Sequence, residues 1–202
     1  EAGHMDHTIN AQQPNAVFAF YSGLYADENA GFLKQNKLTQ KYPFYVTPFS
    51  VNDKILEEYK NDPHELYVVS SWMQSDPDST DFTSRYKDVY DENPSFFSVL
   101  GYENGLILKN LLLNAKSLKT SSLIEEIYKL DIEGPRGNIK FDKDNNRTLF
   151  NHYIYQLNLD SFNNISFKKI ETLANDGNFI KAFTSLPKPD HIGGWDNAYL
   201  CH

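Results

Sequence analysis

Apolar and polar positions along the 202-residue chain alternate first between strand-like and helix-like stretches, then settle into a run of helices. Residues 17–21 are an unbroken apolar and aromatic run between Asn15 and Ser22-Gly23, which predicts a short buried strand. Residues 26–37 follow with Ala30 and Leu33 on one side. Asp27 and Glu28 fall in the first turn and Lys34 and Lys37 near the end, the polarity that a helix dipole favours. A second short strand is predicted over 44–47. A short helix capped by Asn52 or Asp53 comes next, and then a third strand over 65–72 centred on Val68 and Val69. Strand, helix, strand, helix, strand predicts a parallel sheet with crossover helices. The strands read as runs, as expected where both faces are covered. Ligands in such sheets bind beyond the carboxyl ends of the strands. Residues 23–25, 48–50 and 71–73 lie at those ends.

Beyond residue 79 the period changes. Three helices are predicted over 79–94, 96–116 and 120–131. Pro94 closes the first, the second carries a heavy apolar load from Leu106 to Leu113, and Thr120 or Ser121 caps the third. Residues 134–158 then read as a hairpin with arms at 139–141 and 151–157 around the polar tract Asp-Lys-Asp-Asn-Asn-Arg. A short strand near 165–170 precedes an irregular tail in which Leu-Pro-Lys-Pro-Asp and Gly-Gly predict an extended end.

Composition narrows the function classes. The chain is 40% hydrophobic and 14% aromatic, enough for a packed core and against disorder. A net charge of −8 with scattered lysines and arginines gives no nucleic-acid footprint. The single cysteine, Cys201, excludes an intrachain disulfide and a cysteine-rich zinc site. No apolar run approaches the roughly 20 residues that span a bilayer. The opening Glu-Ala-Gly-His-Met-Asp-His-Thr has no apolar core; it reads as a cloning remnant, not a signal peptide. The six histidines show no His-Glu-x-x-His spacing, and neither a nucleophile elbow nor a phosphate loop is present. The polar tract at 142–147 lacks the glycine and closing glutamate of a calcium loop. The residues therefore predict binding without catalysis, and no cofactor or metal.

Three stretches carry a family resemblance. They are Asn-Ala-Val-Phe-Ala-Phe-Tyr-Ser-Gly-Leu-Tyr-Ala-Asp-Glu from residue 15, Phe-Ser-Val-Leu-Gly-Tyr-Glu-Asn-Gly-Leu from residue 97, and Ile-Glu-Gly-Pro-Arg-Gly-Asn-Ile-Lys-Phe-Asp from residue 132. In this order they resemble the leucine/amide-type solute-binding proteins of ABC transporters, which have the type I periplasmic-binding-protein fold. The likeness spans most of residues 15–158. It implies α/β architecture, with a parallel sheet and crossover helices, as part of a two-lobed molecule. The implied division is a lead-in at 1–13, an α/β part of the second lobe at 14–80, a helical segment of the first lobe at 81–132, and a return hairpin and tail at 133–202. Family members are considerably longer, so the chain resembles only their later part.

The resemblance also places candidate residues. Tyr25 falls where the family packs an aromatic on the bound ligand. Asp27 is an acid for a ligand ammonium, or simply a dipole partner in a first turn. Phe49 stands near a position where amino-acid binders carry an acid, a departure that weakens an α-amino-acid assignment. Trp72 and Met73 read as rim residues or as cover for the sheet edge, and Tyr102 as a cleft, hinge or core contact. The implied role is an extracytoplasmic or periplasmic receptor that delivers amino-acid-like or amide small molecules to an ABC permease. The alternative is a ligand-sensing domain of the same fold acting on a protein partner. The apolar face at Leu106, Leu108, Leu111, Leu112 and Leu113 would lack its cover in a partial chain, which predicts a homodimer.

Overall fold

The computed structural model describes residues 9, 11–20, 38–51, 56, 65–143, 146–162 and 164–175. Its centre is a five-stranded sheet built from β1 (Val17–Ala19), β2 (Phe44–Val46), β3 (Leu66–Ser70), β8 (His152–Leu159) and β9 (Ile165–Leu173), in the order β1-β2-β3-β8-β9. The first three strands are parallel, with Phe44 opposite Val17 and Leu66. β8 runs antiparallel to β3, and β9 antiparallel to β8. The parallel sheet expected from the alternation is thus completed by an antiparallel pair from the far end of the chain.

One sheet face is the main core. Phe44, Val46, Leu66, Val68, Tyr155, Leu157 and Phe167 pack there with Met73. The other face is only half buried. Tyr45 and Tyr67 stack on it with ring centroids 4.9 Å apart. Burial along β3 therefore alternates residue by residue, where continuous burial was expected. β1 also departs from expectation. It ends the sheet order, and Phe18 is 62% exposed, so among the described residues β1 is an edge strand and not a buried one.

The helical run is formed by α2 (Thr80–Tyr90), α3 (Phe96–Asn114) and α4 (Thr120–Ile127); a single turn, α1 (Leu38–Lys41), precedes β2. Asp91, in the left-handed region at φ 54°, ends α2. Ser95 then starts α3 through a reciprocal cap. Its hydroxyl accepts from the Ser98 N–H at 3.3 Å, and the Ser98 hydroxyl accepts from the Ser95 N–H at 3.2 Å. At α4 the expected cap is displaced. Thr120 is the first helical residue, and Lys119 occupies the cap without a side-chain bond.

Two small hairpins lead back to the sheet. β4 (Ile132–Gly134) pairs with β5 (Gly137–Ile139), and β6 (Phe141–Asp142) with β7 (Arg147–Thr148). The polar tract is a turn, as expected, but its second arm is only Arg147–Thr148. Residues 152–159, expected as that arm, instead bridge β3 and β9. Their side chains match the open flank of β3, whose buried Val68 faces buried Tyr155.

An aromatic cleft at the carboxyl edge

Because β2 and β3 are parallel, the chain leaves both on the same edge. After β2 it makes a single 3-10 turn, Pro48–Ser50, which lifts Phe49 off the sheet. Phe49 meets α3 at its first turn. Its ring lies edge-on to Phe96 at 5.2 Å and tilted against Phe97 at 5.0 Å, both within the range of favourable aromatic pairs. After β3, the Ser70 hydroxyl donates to the Trp72 carbonyl at 2.5 Å and accepts from the Trp72 N–H at 3.2 Å, a local turn that swings the indole away from the strand. The edge thus presents Phe49 and Trp72 to the start of α3.

A cavity of about 370 Å³ opens beside this contact. Pro48, Trp72, Met73 and Phe167 line it from the sheet side, and Glu92 to Phe96 from the loop before α3. Its size is within the range of small-ligand sites. Trp72 is 5% exposed and packs with Phe82 and Val99, so it is a core residue that also borders the cavity. Its buried Nε1–H has no hydrogen-bond partner among the described residues. Tyr102 lies on α3, partly exposed, with its ring 5.0 Å from Phe82. Phe96 packs against the Trp72, Phe82 and Val99 cluster, so Phe49, Trp72 and Tyr102 are joined through one set of rings. Tyr25 and Asp27 lie outside the described residues.

Below the rings is a charged layer that sequence reasoning missed. Glu103, 1% exposed on α3, receives the Arg136 backbone N–H at 3.1 Å and the Arg136 Nε at 2.7 Å, with Nη2 at 2.5 Å. Gly134 makes this approach possible. A Cβ there would stand 2.8 Å from Ile139 Cδ1 and 3.1 Å from Glu103 Oε1. Arg136 also reaches Ser71 Oγ at 3.4 Å and lies 4.1 Å from the Phe150 ring centre. A second cavity of about 220 Å³ adjoins it. There buried Asp76 accepts from the Tyr155 hydroxyl at 2.8 Å and pairs with Lys169 at 2.6 Å. The available sequence signal was weak: one acid in the apolar helix, and one arginine between two glycines.

Among the described residues no cluster of His, Cys, Asp and Glu is arranged to hold a metal ion, and no helix is long and apolar enough to cross a membrane. The arrangement is that of an apolar, aromatic-walled receptacle with a few fixed polar groups.

No curated protein matches the chain in sequence. Solved structures do match in fold. A leucine-binding protein from Thermotoga maritima is 16% identical, with a TM-score of 0.67 over 86% of this chain and 49% of its own. A solute-binding protein of an ABC transporter from Rhodopseudomonas palustris, in complex with 3,4-dihydroxybenzoic acid, is 16% identical, with a TM-score of 0.73 over 88% of this chain and 51% of its own. A leucine-, isoleucine-, valine-, threonine- and alanine-binding protein from Brucella ovis, in a closed conformation, is 16% identical, with a TM-score of 0.64 over 87% of this chain and 47% of its own. The chain spans about half the length of each. The family model for periplasmic binding protein matches residues 7–163. That match covers more than half of the chain, which belongs to the periplasmic binding protein family and has its type I α/β fold.

Proposed function

We propose that this chain is part of the extracytoplasmic solute-binding component of an ABC importer, taking amino-acid-like or amide small molecules and passing them unaltered to a permease. The observation that carries the reading is the cavity of about 370 Å³ beside the Phe49, Phe96 and Phe97 contact, in a chain of the periplasmic binding protein family. The neighbouring structures' ligands, leucine and hydroxylated benzoates, each combine an apolar body with a carboxylate. The aromatic rings of Trp72, Phe96 and Phe167 along the cavity suit the body. Phe49, Trp72 and Tyr102 are the ligand-side residues of this reading. Tyr25 and Asp27, which follow β1 in the chain, belong to the same proposal. A homodimer that covers the leucines of α3 is its remaining part.

Capture from one side alone forfeits most of the burial that gives small ligands their affinity. Leucine and 4-hydroxybenzoate should therefore bind more weakly than micromolar, the level of roughly −8 kcal/mol. A titration followed by NMR at millimolar ligand should move the Phe96 and Phe167 ring signals, and Phe96→Ala should weaken the response of Phe167. If neither probe moves these signals, the cleft is not the binding site. Micromolar or tighter binding by calorimetry would show that this chain holds a complete cleft.

A further inference from the structure

We propose that Arg136 is a positioning residue for solute capture, a pin that fixes the aromatic wall at its distance from the sheet edge. The inference rests on the reading of the cleft given above. The chain passes between the sheet and the helical segment twice, outward at residues 71–79 and back at 149–151. Arg136 stands where the two passages meet. Its Nη1 donates to Ser71 Oγ on the outward passage at 3.4 Å, and its guanidinium carbon sits 4.1 Å from the ring centre of Phe150 on the return. The same carbon is 5.8 Å from the ring centre of Phe96, which lies edge-on to Phe49.

The strengths of these contacts are unequal. Toward α3, the Arg136 guanidinium makes two short, charge-assisted bonds to the buried carboxylate of Glu103, and the Arg136 backbone N–H adds a third at 3.1 Å. Toward the sheet it makes one long hydrogen bond and a stacking contact, neither of which demands a single geometry. The arginine is therefore fixed to the helical segment and bears on the sheet passages. The outward passage is itself tied down beyond that point. Ser75 Oγ donates to the Phe167 carbonyl at 3.0 Å and accepts from the Phe167 N–H at 3.2 Å, and Asp76 pairs with Lys169. Phe96, at the start of the helix that carries Glu103, is thereby held against Phe49 at the sheet edge with the guanidinium 5.8 Å from its ring centre. A planar fork stacked on a ring can do this; a lysine ammonium at the same place keeps the charge and loses both the fork and the stack.

The test uses the whole 202-residue chain carrying Trp195→Phe, which leaves Trp72, beside Ser71, as its one tryptophan. Two variants are made in it, Arg136→Lys and Phe150→Leu. Phe150→Leu retains apolar bulk and leaves the Glu103 pair untouched. Without ligand, acrylamide quenching of Trp72 should rise about twofold in Arg136→Lys and by less, in the same direction, in Phe150→Leu. At a temperature well below melting, binding of leucine or 4-hydroxybenzoate should weaken about tenfold in Arg136→Lys. Quenching equal to the parent in both variants would overturn the proposal. So would unchanged ligand affinity in a folded Arg136→Lys protein whose parent binds. Should Arg136→Lys fail to melt cooperatively, Phe150→Leu decides alone. If the parent binds neither probe, the reading of the cleft fails, and the quenching result still decides whether Arg136 holds the two passages.

Discussion

His152 begins β8 one residue beyond the return passage and close to Arg136. Partial desolvation by the surrounding protein, with the Arg136 charge second, holds its pKa below the ordinary imidazole value. The unfolded chain then takes up this proton more readily than the folded one. Stability rises with pH across the window from the lowered folded pKa to about 6.5, the ordinary value, and is lost as pH falls through that window. An NMR titration should place His152 below about 6.5, and Arg136→Gln should move it upward by removing the second cause. A His152 that titrates at or above the ordinary value would refute this account. The residue scale also shows why the charged layer escaped sequence reasoning. Glu103 and Arg136 are 33 positions apart, and nothing local announces that a two-residue turn will press one against the other.

At the scale of elements, what was legible follows from what is local. The parallel strands β1 to β3 and the helices α2 to α4 come from apolar periodicity and punctuation carried within each stretch, so their order was readable. The reciprocal cap at Ser95 and Ser98 was equally local, although unnoticed. It fixes the turn that holds Phe96 and Phe97, so Ser95→Ala should cost about 1 kcal/mol in a denaturant melt, and a loss below a few tenths would mean that the loop alone sets the helix start. Strand partners were not legible. Residues 152–159 carry the signal of a strand, but their choice of β3 and β9 over a nearby arm depends on which flank of the sheet is open. Burial was also misjudged at β1, because a short aromatic run reads alike whether it lies in the middle of a sheet or at its border. Of the site, the sheet-edge positions of Phe49 and Trp72 could be inferred, whereas the rings that meet Phe49 come from a helix 47 positions further on and were missed.

Across the whole molecule, the chain spans about half of each structure it matches, and α3 shows where cover is wanting. Leu111 is buried, but Leu108, Leu112 and Leu113 are 56%, 54% and 72% exposed. Gly101 and Gly105 lie in line with Leu108 and Leu112, and a Cβ at either would meet open space. A helix face both smooth and apolar favours close contact with another surface. Static light scattering should accordingly give a mass near twice that of one chain at working concentrations, falling on dilution. Leu112→Lys should bring the mass to that of a single chain. A monodisperse monomer in the parent protein would refute the homodimer and leave these leucines solvated. The other sequence-derived expectation at this scale, division near residues 80 and 132, belongs with the same experiments, since the passages at 71–79 and 149–151 are where any relative movement has to be accommodated.

Gly134 has a consequence for how the protein can change over generations. The missing side chain leaves room for Glu103 and Ile139, and Ile139, fully buried, has little freedom to withdraw. In a library of all single substitutions, tolerance at this position should fall with size from alanine to valine, and aspartate, set beside the buried Glu103 carboxylate, should be among the worst. The opposite profile is due at Gly101 and Gly105, where space is open and many residues are admissible for folding. Three glycines that look alike in the sequence thus carry different mutational burdens, set by what surrounds each of them.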